Sequence, residues 1–169
     1  MLLRSKINSD SDTLDLLHSQ YYWIPSSENV RRSEDIQTKQ ILEMIPVQKY
    51  YISFRDYILD TIFGAKIVMN SEGKLSAIRE SNLEHKFKLT QNQYPYQVSK
   101  DTRHYIMWYL CDKPSDGQIT IDINTELQDW EKYDQIQFVW YENPKIHREV
   151  YHVHVFIYYT LTIARITKA

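Results

Sequence analysis

Two histidines set two residues apart in an otherwise apolar run, "YHVHVFI" from Tyr151 to Ile157, are the first residues of this chain that could do chemistry. In a strand, successive side chains point to opposite faces, so His152, His154 and Phe156 share one face and Val153, Val155 and Ile157 the other. The two imidazoles would then stand ~7 Å apart at Cβ, a spacing at which they can converge on one ion or one phosphate. One use is metal binding, with His152 and His154 as ligands of a divalent cation and a third ligand from His104, His147, Asp101 or Glu142. Another is phosphorus chemistry, one histidine acting as nucleophile or acid while a neighbour holds its tautomer. The bland alternative is a structural pair, each ring giving a nitrogen to a carbonyl or carboxylate. Two rings on one face make that alternative costlier, because an unmet buried polar group loses ~1–3 kcal/mol.

The elements that must position these residues follow from periodicity and caps. The final strand is expected from Val150 to about residue 163, preceded by a strand "QIQFVWY" and the turn "ENPKIHRE". Residues 1–32 are polar, with a short helix or tether around Leu14, Leu17 and Tyr21. Ser33 caps a helix carrying Ile36, Ile41, Met44 and Ile45, and Pro46 ends it. A second helix with Val47, Tyr50, Tyr51, Phe54, Tyr57 and Ile58 on one face runs to Gly64. "AKIVM", "NSEG" and "KLSAI" read as a hairpin, and residues 79–96 as a loop. Ser99 or Asp101 caps a helix "KDTRHYIMWYLC", on which Tyr105, Trp108 and Tyr109 share a stripe and His104 lies one turn before Trp108. "QITIDI" alternates as a strand, and "NTELQDWEKYD" forms a helix capped by Asn124.

Composition removes several functions. Apolar residues make up 43% and charged residues 25% of 169, the profile of one compact domain. A net charge of −2 gives no field to draw the chain onto nucleic acid or an anionic membrane. Three glycines leave no room for a phosphate-cradling loop, and neither G-x-G-x-x-G nor the Walker pattern occurs. The fourteen tyrosines suit cores and half-wet surfaces better than base stacking, since no basic stripe accompanies them. Cys111 is the single cysteine and the first residues carry no apolar leader, which points to a reducing, cytoplasmic setting. No apolar run reaches the ~20 residues of a membrane helix. Cys111 as a nucleophile has no motif around it, and the charge cluster of Arg31, Arg32, Glu34 and Asp35 reads as a solvated helix start.

Two resemblances add to this. "HVHVF" resembles the His-φ-His-φ-His strand of the histidine-triad nucleotide hydrolases, with Phe156 where the third histidine belongs. Over roughly residues 90–157, "NQYPYQVSKDTRHYIMWYL" followed by "WYENPKIHREVYHVHVFI" is similar to the domain-of-unknown-function family that includes fungal N-acetylglucosamine-induced protein 1. The matching residues are Tyr94, Pro95, Tyr96, His104, Tyr105, Trp108, Trp140, Asn143, Pro144, His152, His154 and Val155. That resemblance implies a residue set and names no reaction. Read physically, the set makes a pocket with Trp108 and Trp140 as flat walls, Asn143 as donor and acceptor, Tyr96 beside them, and His104, His152 and His154 as acids or ligands.

The chain is therefore expected to be a single α+β domain over residues 33–169, with helices packed on a mostly antiparallel sheet that ends in the His-x-His strand. Its expected function is a His-lined pocket for a small molecule, either metal-dependent or directed at phosphoesters and nucleotides. The alternative is a non-catalytic binding or scaffolding domain in which the same residues hold a core.

Overall fold

The computed structural model of the chain describes residues 6–7, 32–78, 86–98, 102–110, 113–130, 135–142 and 149–160. These residues form a single domain of mixed α and β structure, with no helix long and apolar enough to cross a membrane. A two-residue strand β1 (Lys6–Ile7) and a short hairpin, β2 (Ile67–Met69) with β3 (Leu75–Ala77), accompany four longer strands. The longer strands are β4 (Phe87–Gln91), β5 (Thr102–Tyr109), β6 (Gln135–Tyr141) and β7 (His152–Thr160). Helices are α1 (Glu34–Tyr50), α2 (Phe54–Thr61) and α3 (Asp116–Glu126). The main sheet has the order β1-β6-β7-β5-β4, antiparallel except where β1 runs parallel to β6.

The strand that ends the described chain is thus at the centre of the sheet, and its two faces differ. Val153, Val155 and Ile157 of β7 join Met107 and Tyr109 of β5 and Phe138 and Trp140 of β6 beneath α3. His152, His154 and Phe156 face the other way, among Tyr96, Tyr141, Trp108 and Ile106. The alternation read from "HVHVFI" therefore describes the folded strand.

Several other expectations are corrected. "TRHYIMWY" is strand β5 and not a helix, so His104 and Trp108 share a face at a distance of four strand residues, while Tyr105 and Tyr109 lie on the opposite face. Pairing with β4 on one side and β7 on the other, and burial on both faces, erases the alternation that would mark this segment as a strand. The expected loop at 79–96 contains β4, whose backbone completes that pairing. "QITIDI" lies inside α3, because Ser115 accepts a hydrogen bond from the Gln118 N–H and Ile119, Ile123 and Leu127 bury at helical spacing while Ile121 is 58% exposed. That helix ends at Glu126, the third residue of the helix expected from Asn124.

Pro46 does not end α1, which continues to Tyr50. The carbonyl that proline leaves without an intrahelical partner belongs to Leu42, which is exposed, so water can satisfy it. The break comes instead at Ser53, whose Oγ accepts from the Asp56 N–H and caps α2. Asp56 also accepts the Ala77 N–H at 2.8 Å, which ties α2 to the hairpin. In α1 the inward residues are Ile36, Gln40, Met44 and Val47, while Ile41 and Ile45 are rotated out to solvent. The hairpin turn is built by Asn70, whose Oδ1 accepts from the Glu72 and Lys74 N–H groups, and by Gly73 at a φ of 76°. The helix expected around residues 14–21 lies outside the described residues.

Candidate functional site

β7 delivers His152 and His154 to the sheet face that α1 and α2 cover, and register fixes their neighbours. His152 stands opposite Trp108, His154 opposite Ile106 on β5 and Tyr141 on β6, and Phe156 opposite His104. The His152 ring packs on the Trp108 indole with centroids 4.9 Å apart, and it meets the His154 ring edge-on at 5.8 Å. His104 reaches diagonally to His154, and their Nε2 and Nδ1 atoms are 2.8 Å apart. Both of these rings are buried.

One backbone donor determines the protons of that pair. The Tyr96 N–H donates to His104 Nδ1 at 3.0 Å, so this nitrogen carries a lone pair. His104 must then bear its proton on Nε2 and donate it to His154 Nδ1. In the neutral His154 ring the proton consequently sits on Nε2. The Asn92 amide nitrogen lies 3.3 Å from both nitrogens of His104, its orientation set by the Tyr94 N–H donating to Oδ1; as a donor it can serve only the Nδ1 lone pair, which it shares with the Tyr96 N–H. His152 is governed separately: its Nδ1 is 3.0 Å from the Val150 carbonyl, which can only accept, so Nδ1 carries a proton and, in the neutral ring, Nε2 the lone pair. The two strand histidines therefore differ in kind, His154 carrying an Nε2–H and His152 an Nε2 lone pair.

Burial pushes the His104 imidazole well below its ordinary value of 6.5, and the neighbouring His154 and Arg32 push it further the same way. Below that ordinary value the unfolded chain takes up a proton on this ring and the folded chain does not. Its contribution is therefore intact above pH 6.5 and is lost as the pH falls below it, at about 1 kcal/mol per pH unit. Urea unfolding between about pH 7.5 and about pH 5.5 is expected to show this loss, and a His104→Gln variant to show a shallower one. Equal slopes in the two proteins would contradict the buried neutral ring.

A cleft of about 110 Å³ lies beside the pair, floored by Ile106, Trp108, His152 and His154 and walled by side chains of α1 and α2 such as Met44 and Phe54. Trp108 is held in place by its indole N–H, which donates to Thr90 Oγ1 at 3.0 Å. At the rim, the Arg32 Nε–H donates to the Tyr94 carbonyl and the guanidinium lies over the Tyr96 ring at 4.7 Å.

Of the site residues expected from sequence, His104, His152, His154, Trp108 and Tyr96 come together on this face. Tyr96 takes part through its N–H and as a ring stacked on His154 at 5.5 Å. Trp140 does not join them: it projects to the opposite face under α3, where its indole N–H donates to Thr120 Oγ1 at 3.1 Å. Asn143, and with it His147, Asp101 and Cys111, lies outside the described residues. Sequence reasoning passed over Asn92, which sits in a segment read as loop, and Tyr141, which stacks on His154 at 5.1 Å and 13°. Alternation along β6 could have found Tyr141, since it sets Tyr141 and Trp140 on opposite faces.

The donor set also bears on a metal. Among the described residues no three His, Cys, Asp or Glu side chains form a group able to hold a metal ion. His104 has both ring nitrogens engaged, and Glu142 takes the Tyr151 hydroxyl at 2.5 Å and the Lys113 ammonium at 2.6 Å. His152 and His154 alone make an incomplete ligand set.

No protein-family model and no curated protein matches the chain. Among solved structures, the crystal structure of HTC1 is similar at a TM-score of 0.47 and 13% sequence identity, covering 89% of this chain and 86% of that one.

Proposed function

We propose that the protein binds a small organic molecule in the cleft under α1 and α2, with His152 as proton acceptor and His154 as proton donor to it. The buried His104–His154 hydrogen bond carries this reading, because it fixes a donor on one ring beside a lone pair on the next. A partner that both gives and accepts a hydrogen bond, such as a hydroxyl, an amide or a water to be activated, matches that pair. General acid–base chemistry of this kind is worth about 10²–10⁴-fold in rate and needs no metal.

His152 is the residue that acts, since it is only half-buried and lines the cleft. His104 is a positioning residue, fully buried and acting through His154. The likeness to the histidine-triad strand points to phosphoester or nucleotide hydrolysis, but a cleft of about 110 Å³ suits a smaller ligand better. Phe156 fills the third position of that motif and packs on His104 with centroids 4.4 Å apart, so the proposed chemistry rests on the two histidines before it. Kinship with the family that includes N-acetylglucosamine-induced protein 1 is also proposed, and the gathering of Tyr96, His104, Trp108, His152 and His154 on one face supports it.

Saturation-transfer NMR with a panel of single-ring amides and alcohols tests the binding reading. Compounds from the panel should bind the parent protein and lose affinity by about tenfold or more in His152→Ala, whose stability should change by less than about 1 kcal/mol. Binding that is indifferent to His152, or no binding at all, would overturn it.

A further inference from the structure

The charge of the ligand can be read from the cleft lining. Among the described residues that line it Arg32 is the one fixed charge, the other polar side chains being amides, hydroxyls, imidazoles and an indole, with the nearby Glu43 carboxylate taken by the Tyr94 hydroxyl. Its Nε–H is spent on the Tyr94 carbonyl, and among the described residues no carboxylate pairs with the guanidinium. Four N–H donors on its two terminal nitrogens belong to a planar fork suited to a carboxylate. Arg32 and His154 lie against the same ring, Tyr96, with centroid distances of 4.7 Å and 5.5 Å. Arg32 and His154 both line the cleft, together with the apolar side chains of Trp108, Phe54, Tyr57 and Ile58.

We infer that the ligand is a small organic monoanion, a carboxylic acid on a single ring or a short apolar body. The inference rests on the ligand cleft proposed above. One cation with no acid among the described lining residues favours a single negative charge over a neutral or cationic molecule, and a cavity of about 150 Å³ is enough for a whole benzene ring. At about 110 Å³ the cleft is smaller than that, so a ring would enter it only in part, with its substituent left at the open rim.

Isothermal titration calorimetry with benzoate, benzamide and benzylamine separates the charge from the cleft. Benzoate is expected to bind about tenfold tighter than benzamide, and benzylamine weakest. Arg32→Gln should bring benzoate and benzamide level while leaving the benzamide affinity unchanged, which excludes a folding defect as the cause. Benzamide binding as tightly as benzoate in the parent protein, with loss of both in His152→Ala, would overturn the charge inference and leave the ligand cleft standing. Binding of none of the three would overturn both.

Discussion

His154→Ala is expected to cost about 3 kcal/mol of stability, more than its size alone would suggest. Truncation leaves the His104 Nε2–H buried without its acceptor, a penalty of about 1–3 kcal/mol, and removes a ring that packs on Tyr141 and Tyr96. Because the two rings act as one unit, the double variant with His104→Ala should be less destabilised than the two single changes added together, by about 1 kcal/mol or more. Urea unfolding of the four proteins measures it. Strict additivity would mean that the pair is not coupled in solution.

Trp140→Ala is expected to cost about 3–5 kcal/mol and to leave ligand binding by the folded protein unchanged. The indole is fully buried on the α3 side, bonded to Thr120, and stands opposite Val155 rather than beside the histidines. Denaturant unfolding together with benzamide titration at a temperature where the variant is folded separates the two readouts. A loss of affinity without a loss of stability would place Trp140 in the site and contradict the two-faced sheet.

The difference between Trp140 and Trp108 shows what the sequence made legible. Alternation on β7 was readable because one of its faces is aliphatic and the other carries histidines. The hairpin was readable from Asn70 and Gly73, and the start of α1 from Ser33, since each of these residues acts on its own backbone. β5 was not readable. Tyr105, Trp108 and Tyr109 suit helical spacing as well as a strand, and only pairing with β4 and β7 decides between them. In α3, Ile119 and Ile123 fit both periods, and the choice depends on Leu127 being buried and Ile121 exposed. Placing His104 on a helix one turn from Trp108 hid its true partner, His154, fifty residues away in the chain. Asn92 was hidden for the same reason, because a buried amide has no local pattern.

The most direct test is a long-range proton–nitrogen correlation spectrum of the protein labelled with nitrogen-15 histidine, recorded near neutral pH. His104 and His154 should appear as neutral rings protonated at Nε2, and the neutral form of His152 should carry its proton on Nδ1. Finding His104 protonated at Nδ1, or His152 with its proton on Nε2, would remove the donor and acceptor pair from the cleft and with it the proposed chemistry.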